Sequence, residues 1–143
     1  MKYKIFTIVF VLSILSSCAN NDIDLSKFPK NLNVEQFEQL VNTNQFTLID
    51  IRDIQEFSQN WYLSWAININ YYDINFKQEI SKLDKNGKYL IYCNRWTRTK
   101  DVIKIMNELW FENVLHLSNW IQDWILQEKN LIKCSDINDY LWC

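Results

Sequence analysis

The sequence predicts an α/β domain, a parallel sheet with helices packed against it, and three observations carry that reading. Apolar, β-branched runs at Phe46 to Arg52, Ala66 to Asn70, Lys88 to Cys93 and Asn113 to Leu117 have the composition and length of strands. Between them lie stretches whose apolar residues recur at helical spacing. Strand and helix alternate along the chain, the order that right-handed βαβ units need. With 143 residues there is chain enough for one sizeable core and too little for two.

The chain opens MKYKIFTIVFVLSILSSCAN. Lys2 and Lys4 precede an apolar run, Ile5 to Leu15, that is short for a bilayer span and suited to a secretory signal. Leu15-Ser16-Ser17-Cys18 resembles a bacterial lipobox, in which cleavage precedes the cysteine and its thiol carries a lipid anchor such as palmitate. The competing reading is an N-terminal core helix with an incidental cysteine; charge, length and the small residues before Cys18 favour the first. The expected organisation is a signal peptide at 1–17, a polar tether at 18–30 with the one proline, a folded domain at 31–133 and a tail at 134–143. The domain then stands outside the cytoplasm, anchored to a bacterial membrane by Cys18.

Within the domain, Asn33 stands three residues before Gln36 in a capping-box pattern, and Val34, Phe37, Leu40 and Val41 form one stripe, which predicts a helix over Val34 to Asn42. Phe46 to Arg52 is a buried strand that ends in charge, and Ala66 to Asn70 a shorter one. Ile74, Phe76, Ile80 and Leu83 predict a helix, closed by a turn at Asp84-Lys85-Asn86-Gly87 that holds the only glycine. Lys88 to Cys93 is the expected central strand. Val102, Ile103, Ile105, Met106 and Leu109 predict a helix over Asp101 to Leu109, followed by the strand Asn113 to Leu117 and a short helix over Ile121 to Leu126.

A net charge of −2 gives no electrostatic reason for a nucleic-acid partner. No paired Cys or His spacing predicts a metal, and no cofactor is expected. The cysteines are Cys18, Cys93, Cys134 and Cys143. With Cys18 acylated, Cys134 and Cys143 are close enough in sequence for a small disulfide loop in an oxidising compartment, or they stay reduced where the surroundings are reducing. The tail is either a small closed cap or frayed.

Cys93 ends a strand and is followed by a short loop into a helix, at the end of the sheet where ligands bind in such folds. Loop N–H groups and the helix dipole there favour a thiolate, and Arg95 and Arg98 add fixed positive charge. Alone, Cys93 reads as a small buried hydrophobe; two arginines within five residues turn it into a candidate nucleophile that carries an anionic group. The single histidine, His116, lies in a strand among apolar residues and reads as structural, which leaves a Cys93–His116 hydrolase a distant reading.

Four segments in order, LIDIR (Leu48 to Arg52), NWYLSWAIN (Asn60 to Asn68), YCNRWTR (Tyr92 to Arg98) and NWIQDW (Asn119 to Trp124), resemble the signature of the single-domain rhodanese-like sulfurtransferases. The resemblance runs from about Asn33 to Lys133 and implies a three-layer domain with a central parallel sheet flanked by helices. It further implies that Cys93 attacks a sulfur donor such as thiosulfate, holds the sulfur as a persulfide and passes it to a thiol, to cyanide or to a protein acceptor. By the same resemblance, Asn94, Arg95, Trp96, Thr97 and Arg98 form the substrate-binding loop, with Arg98 closing it, while Asp50 and Arg52 are structural and Glu56 orders the turn that follows. Four residues separate Cys93 from Arg98; phosphatases of the same fold class carry a longer loop, so a sulfur pocket fits better than a phosphate one. The alternative is a non-catalytic rhodanese-like module that binds a partner or relays sulfur at the membrane surface.

One glycine and seven tryptophans stand where average usage would give about ten glycines. Trp61, Trp65, Trp96, Trp110 and Trp120 fall on glycine positions of the family pattern, whereas Trp124 falls where the family often has tryptophan. A gene that reads UGA as glycine, translated with UGA as tryptophan, would explain both counts at once. Otherwise the domain is a diverged one whose loop real tryptophans have filled.

Overall fold

A computed structural model describes residues 22–59, 61–119 and 121–133. The expected signal, lipidation site Cys18, tail cysteines Cys134 and Cys143, and Trp120 lie outside the described residues. In chain order the elements are β1 (Asn31–Leu32), α1 (Val34–Val41), β2 (Thr47–Asp50), α2 (Ile54–Gln59), β3 (Trp61–Tyr62), β4 (Ile67–Asn68), α3 (Phe76–Ser81), β5 (Tyr89–Tyr92), α4 (Trp96–Glu108), β6 (Val114–Leu117), α5 (Ile121–Leu126) and β7 (Ile132–Lys133).

Five strands form one all-parallel sheet in the order β1-β6-β5-β2-β4, with β5 in the middle. Every residue of β5 and β6 is buried, as a strand covered on both faces requires. Alternate side chains of these strands feed two cores. On one face Leu48, Leu90, Tyr92, Leu115 and Leu117 meet Phe37 and Leu40 of α1 and Ile121 and Trp124 of α5. On the other face Ile49, Ile91, Cys93 and Val114 meet Phe76 and Ile80 of α3 and Val102 and Met106 of α4. The result is the expected α/β domain of three layers.

The capping box at α1 forms as predicted: Gln36 N donates to Asn33 Oδ1 at 2.8 Å, and Asn33 N donates to Gln36 Oε1 at 3.1 Å. A cap of this kind contributes about 1 kcal/mol. The helix expected over Ile74 to Leu83 is shorter, because Asn75 N donates to Asp73 Oδ1 in a turn that leaves Ile74 in solvent. The helix expected from Asp101 starts five residues earlier, at Trp96. The apolar stripe begins only at Val102, but Arg98 and Thr99 of the first turn are also buried, against the site rather than the core.

Four short elements were not anticipated: β1, α2 and the antiparallel pair β3–β7, which joins Trp61 to Lys133 and Tyr62 to Ile132. The described part of the expected tether also differs from a free polar linker. Residues Leu25–Lys27 form a 3-10 turn, Ile23, Leu25 and Phe28 pack on the α1/α5 core, and Asp22 pairs with Lys88.

Candidate active site

Cys93 directly follows β5, so the middle strand delivers its thiol to the carboxyl end of the sheet. The side chain packs on the α3/α4 face with Ile91, Val102 and Met106 and is 2% exposed. Backbone N–H groups of Arg95 and Asn94 meet the sulfur. Arg95 is the N-cap of α4, extended at φ −142° and ψ 121°, and gives the helix no side-chain cap. The first-turn N–H groups therefore have no competing side-chain acceptor from that residue.

A cleft of about 500 Å³ opens over this loop, lined by Asn94, Arg95, Trp96, Thr97 and Gln122. Four of the five residues expected of the substrate loop thus line one cleft, while Cys93 and Arg98 are buried and do not form part of its lining. A slightly larger cleft of about 540 Å³ runs along β4 and α3, but its lining holds no thiol or hydroxyl. Trp96 stands at the rim of the first cleft, its ring 6.4 Å from that of His116, with Lys100 Nζ 4.1 Å from its centroid. His116 is held neutral by burial, its Nδ1 3.1 Å from Leu117 O. That is the structural role expected of it.

Arg98 is buried behind the loop and locked to Glu56 of α2. Nη1 donates to Glu56 Oε2 at 2.5 Å and Nη2 to Oε1 at 3.0 Å. The guanidinium carbon also lies 5.5 Å from the centre of the Tyr72 ring, while Nε is buried without a hydrogen-bond partner. Arg98 holds the Glu56 carboxyl down at about 2. Glu56 has a second task, the one expected of it: its N–H donates to Asp53 Oδ1 at 2.8 Å and its carboxylate accepts from Asp53 N at 3.3 Å, so the pair boxes the start of α2. The sequence offered no sign of the Glu56–Arg98 pair, since 42 residues separate the partners. Tyr72 and Gln122 were likewise missed as parts of the site.

One electrostatic expectation is corrected. The sequence predicts a thiolate at Cys93, but burial pushes the thiol above its ordinary value, and the nearby Asp50 adds to the rise. The Arg95 N–H, the Arg98 charge and the Asn94 N–H all pull the other way without overcoming the lost solvation.

Asp50 and Arg52 form a buried ion pair at the end of β2. Arg52 Nη2 donates to Asp50 Oδ2 at 2.6 Å and to Trp61 O at 2.9 Å, and Nη1 donates to Glu56 O at 3.2 Å. One guanidinium thereby ties the end of β2 to α2 and β3. Asn68 of β4 closes the same corner, its side-chain amide donating to Asp50 O and Arg52 O.

Comparison with family models matches residues 33–127 to the rhodanese-like domain. Comparison with curated proteins returns no match. Among solved structures, a rhodanese-related protein from Thermoplasma volcanium superposes with a TM-score of 0.62 at 19% identity, covering 71% of this chain and 96% of that one. Protein hp1203 from Helicobacter pylori gives 0.60 at 21% identity, covering 81% and 98%. The human single-domain sulfurtransferase gives 0.60 at 11% identity, covering 71% and 100%. These likenesses are of fold. Joined to the family match across most of the chain, and to a cysteine loop set at the end of the central strand, they place this chain in the rhodanese-like domain family.

Proposed function

We propose that the protein is a sulfurtransferase in which Cys93 carries sulfane sulfur as a persulfide. The observation that carries this is the loop geometry: a thiol at the end of the middle strand, met by the Asn94 and Arg95 N–H groups, under a loop whose outer side lines a cleft with Arg95 on its wall. The Cys93 thiolate attacks the outer sulfur of a donor such as thiosulfate, forming an S–S bond as the bond to the sulfite group breaks and sulfite leaves. A thiophilic acceptor, a thiol, cyanide or a protein cysteine, then attacks that outer sulfur and releases the Cys93 thiolate. N–H donors preorganised around the sulfur stabilise the anionic persulfide without needing to reorient. Arg98 keeps positive charge beneath the loop and is itself fixed by Glu56.

A second reading has its own observation. Cys93 is almost wholly buried, its thiol is pushed up, and Trp96 stands at the cleft rim, a combination that suits a rhodanese-like module binding a partner without turnover. Mass analysis of the purified protein after thiosulfate treatment separates the two. The expected result is a gain of one sulfur atom, lost in Cys93→Ser; no gain in either the chain with Trp96 or its Trp96→Gly variant would overturn the enzyme reading.

The reading places the domain at the outer surface of a bacterial membrane through an acylated Cys18, supported by Lys2 and Lys4, the apolar run and the small residues before the cysteine. Palmitate labelling of the full chain that persists in Cys18→Ser would remove that part of the proposal.

A further inference from the structure

The described tryptophans span two extremes, with Trp61 and Trp96 between them at 38% and 41% exposed. Trp124 behaves as buried tryptophans do: it is 2% exposed, sits edge-on to Phe37 with ring centres 5.8 Å apart, and donates from Nε1 to Asn130 O at 3.2 Å. Trp65 and Trp110 behave in the opposite way, with 90% and 84% of their surface in solvent. Both also hold positive φ, 66° and 65°. A Cβ is disfavoured in that region, and an exposed indole gains nothing from burial to offset it.

The local hydrogen bonds show what each position requires. Ala66 N donates to Leu63 O at 3.1 Å, closing a four-residue turn in which Trp65 is third and, unlike Ser64, has positive φ. That is the signature of a type II turn, whose third position is normally glycine. At the end of α4, Trp110 N donates to Asn107 O and Phe111 N to Met106 O, both at 3.0 Å, while Phe111 and Met106 pack together in the core. That pattern is the left-handed helix stop, and glycine is its usual occupant. Glu128 closes α5 in the same way with φ 52°, and Asn44 holds φ 55°. The fold thus tolerates side chains at such places, but flexible or αL-prone ones. The single glycine, Gly87, is not spent on positive φ at all.

We infer that positions 65 and 110 are glycine in the protein as its own cell makes it, and that one UGA codon assignment, glycine in the cell and tryptophan in the printed sequence, accounts for both and extends to 61, 96 and 120. The inference stands apart from sulfur transfer, because it rests on backbone shape at two sites away from the cleft. Its consequence at the cleft rests on the proposed function: position 96 becomes the residue that sets the opening. Glycine there removes the indole from the rim and leaves Asn94, Arg95, Thr97 and Gln122 around a wider cleft over the Cys93 loop.

The codons decide. UGA is expected at 61, 65, 96, 110 and 120, with UGG at 124, and fragment masses of the protein isolated from its own cells should carry glycine at 65 and 110. UGG at 65 or 110, or tryptophan in those native fragments, would overturn the inference whatever the activity shows. Independently, Trp65→Gly and Trp110→Gly should each raise the folding equilibrium constant roughly 5–30-fold, the range that one or two kcal/mol represents. A fall at both positions would equally overturn it.

Discussion

Glu56→Gln tests the electrostatics behind the cysteine loop. The carboxylate accepts two bonds from a guanidinium that is 4% exposed, and it is itself 24% exposed. The Arg98 hydrogen bonds, with its charge, lower Glu56 from 4.5 to about 2, which sets a ceiling of about 3 kcal/mol. Because part of the carboxylate stays in water, screening reduces the expected contribution to about 1–2 kcal/mol. The sign follows from proton uptake. Below 4.5 the unfolded chain protonates Glu56 first, so this stability is fully present above 4.5 and is lost as pH falls through about 2. Urea unfolding of both proteins at pH 7, 5, 4 and 3 measures it. By pH 3 the parent should have lost about 1 kcal/mol more than Glu56→Gln, the part of the contribution that titrates above that pH, since the remaining carboxylates are common to both and cancel in the difference. Parallel pH profiles would refute the account of Glu56 as the group that fixes Arg98.

Two further outcomes are expected. Trp96→Gly admits water to the cleft and relieves the burial that raises the Cys93 thiol, so the pH midpoint for alkylation of Cys93 should move down; a midpoint that stays or rises would contradict the assignment of burial as the dominant cause. Arg52→Lys replaces a planar fork that reaches Asp50, Glu56 O and Trp61 O with a single ammonium, and should cost about 2–4 kcal/mol in urea unfolding.

How far the sequence could be read depended on the range of the forces involved. Local signals were legible: the Asn33–Gln36 box, the all-apolar β5, and α5, whose predicted and observed spans coincide. The two-residue strands β1, β3 and β7 were not, because two residues carry no periodicity and each exists only through a distant partner. The start of α4 was hidden for another reason: its first turn buries Arg98 and Thr99 against the site, so the apolar pattern used to find helices is missing there. At the site, the motif was enough to bring out Cys93 and Arg98. The Glu56 partner and the direction of the thiol shift were not legible, since one depends on a contact between α2 and α4 and the other on solvent exclusion.

The carbonyl of Cys93 accepts from Ile121 N at 3.1 Å, and Gln122 of the same helix reaches Asn94 at 3.3 Å. Two turns of helix are thus bolted at one end to Cys93 and at the other, through Trp124 against Phe37, to the opposite core. The side chain of Cys93 is seated in the α3/α4 core while its carbonyl is held from the α1/α5 side. Through that carbonyl bond, the position of a thiol on the α4 side of the sheet is tied to the packing of the layer on the other side.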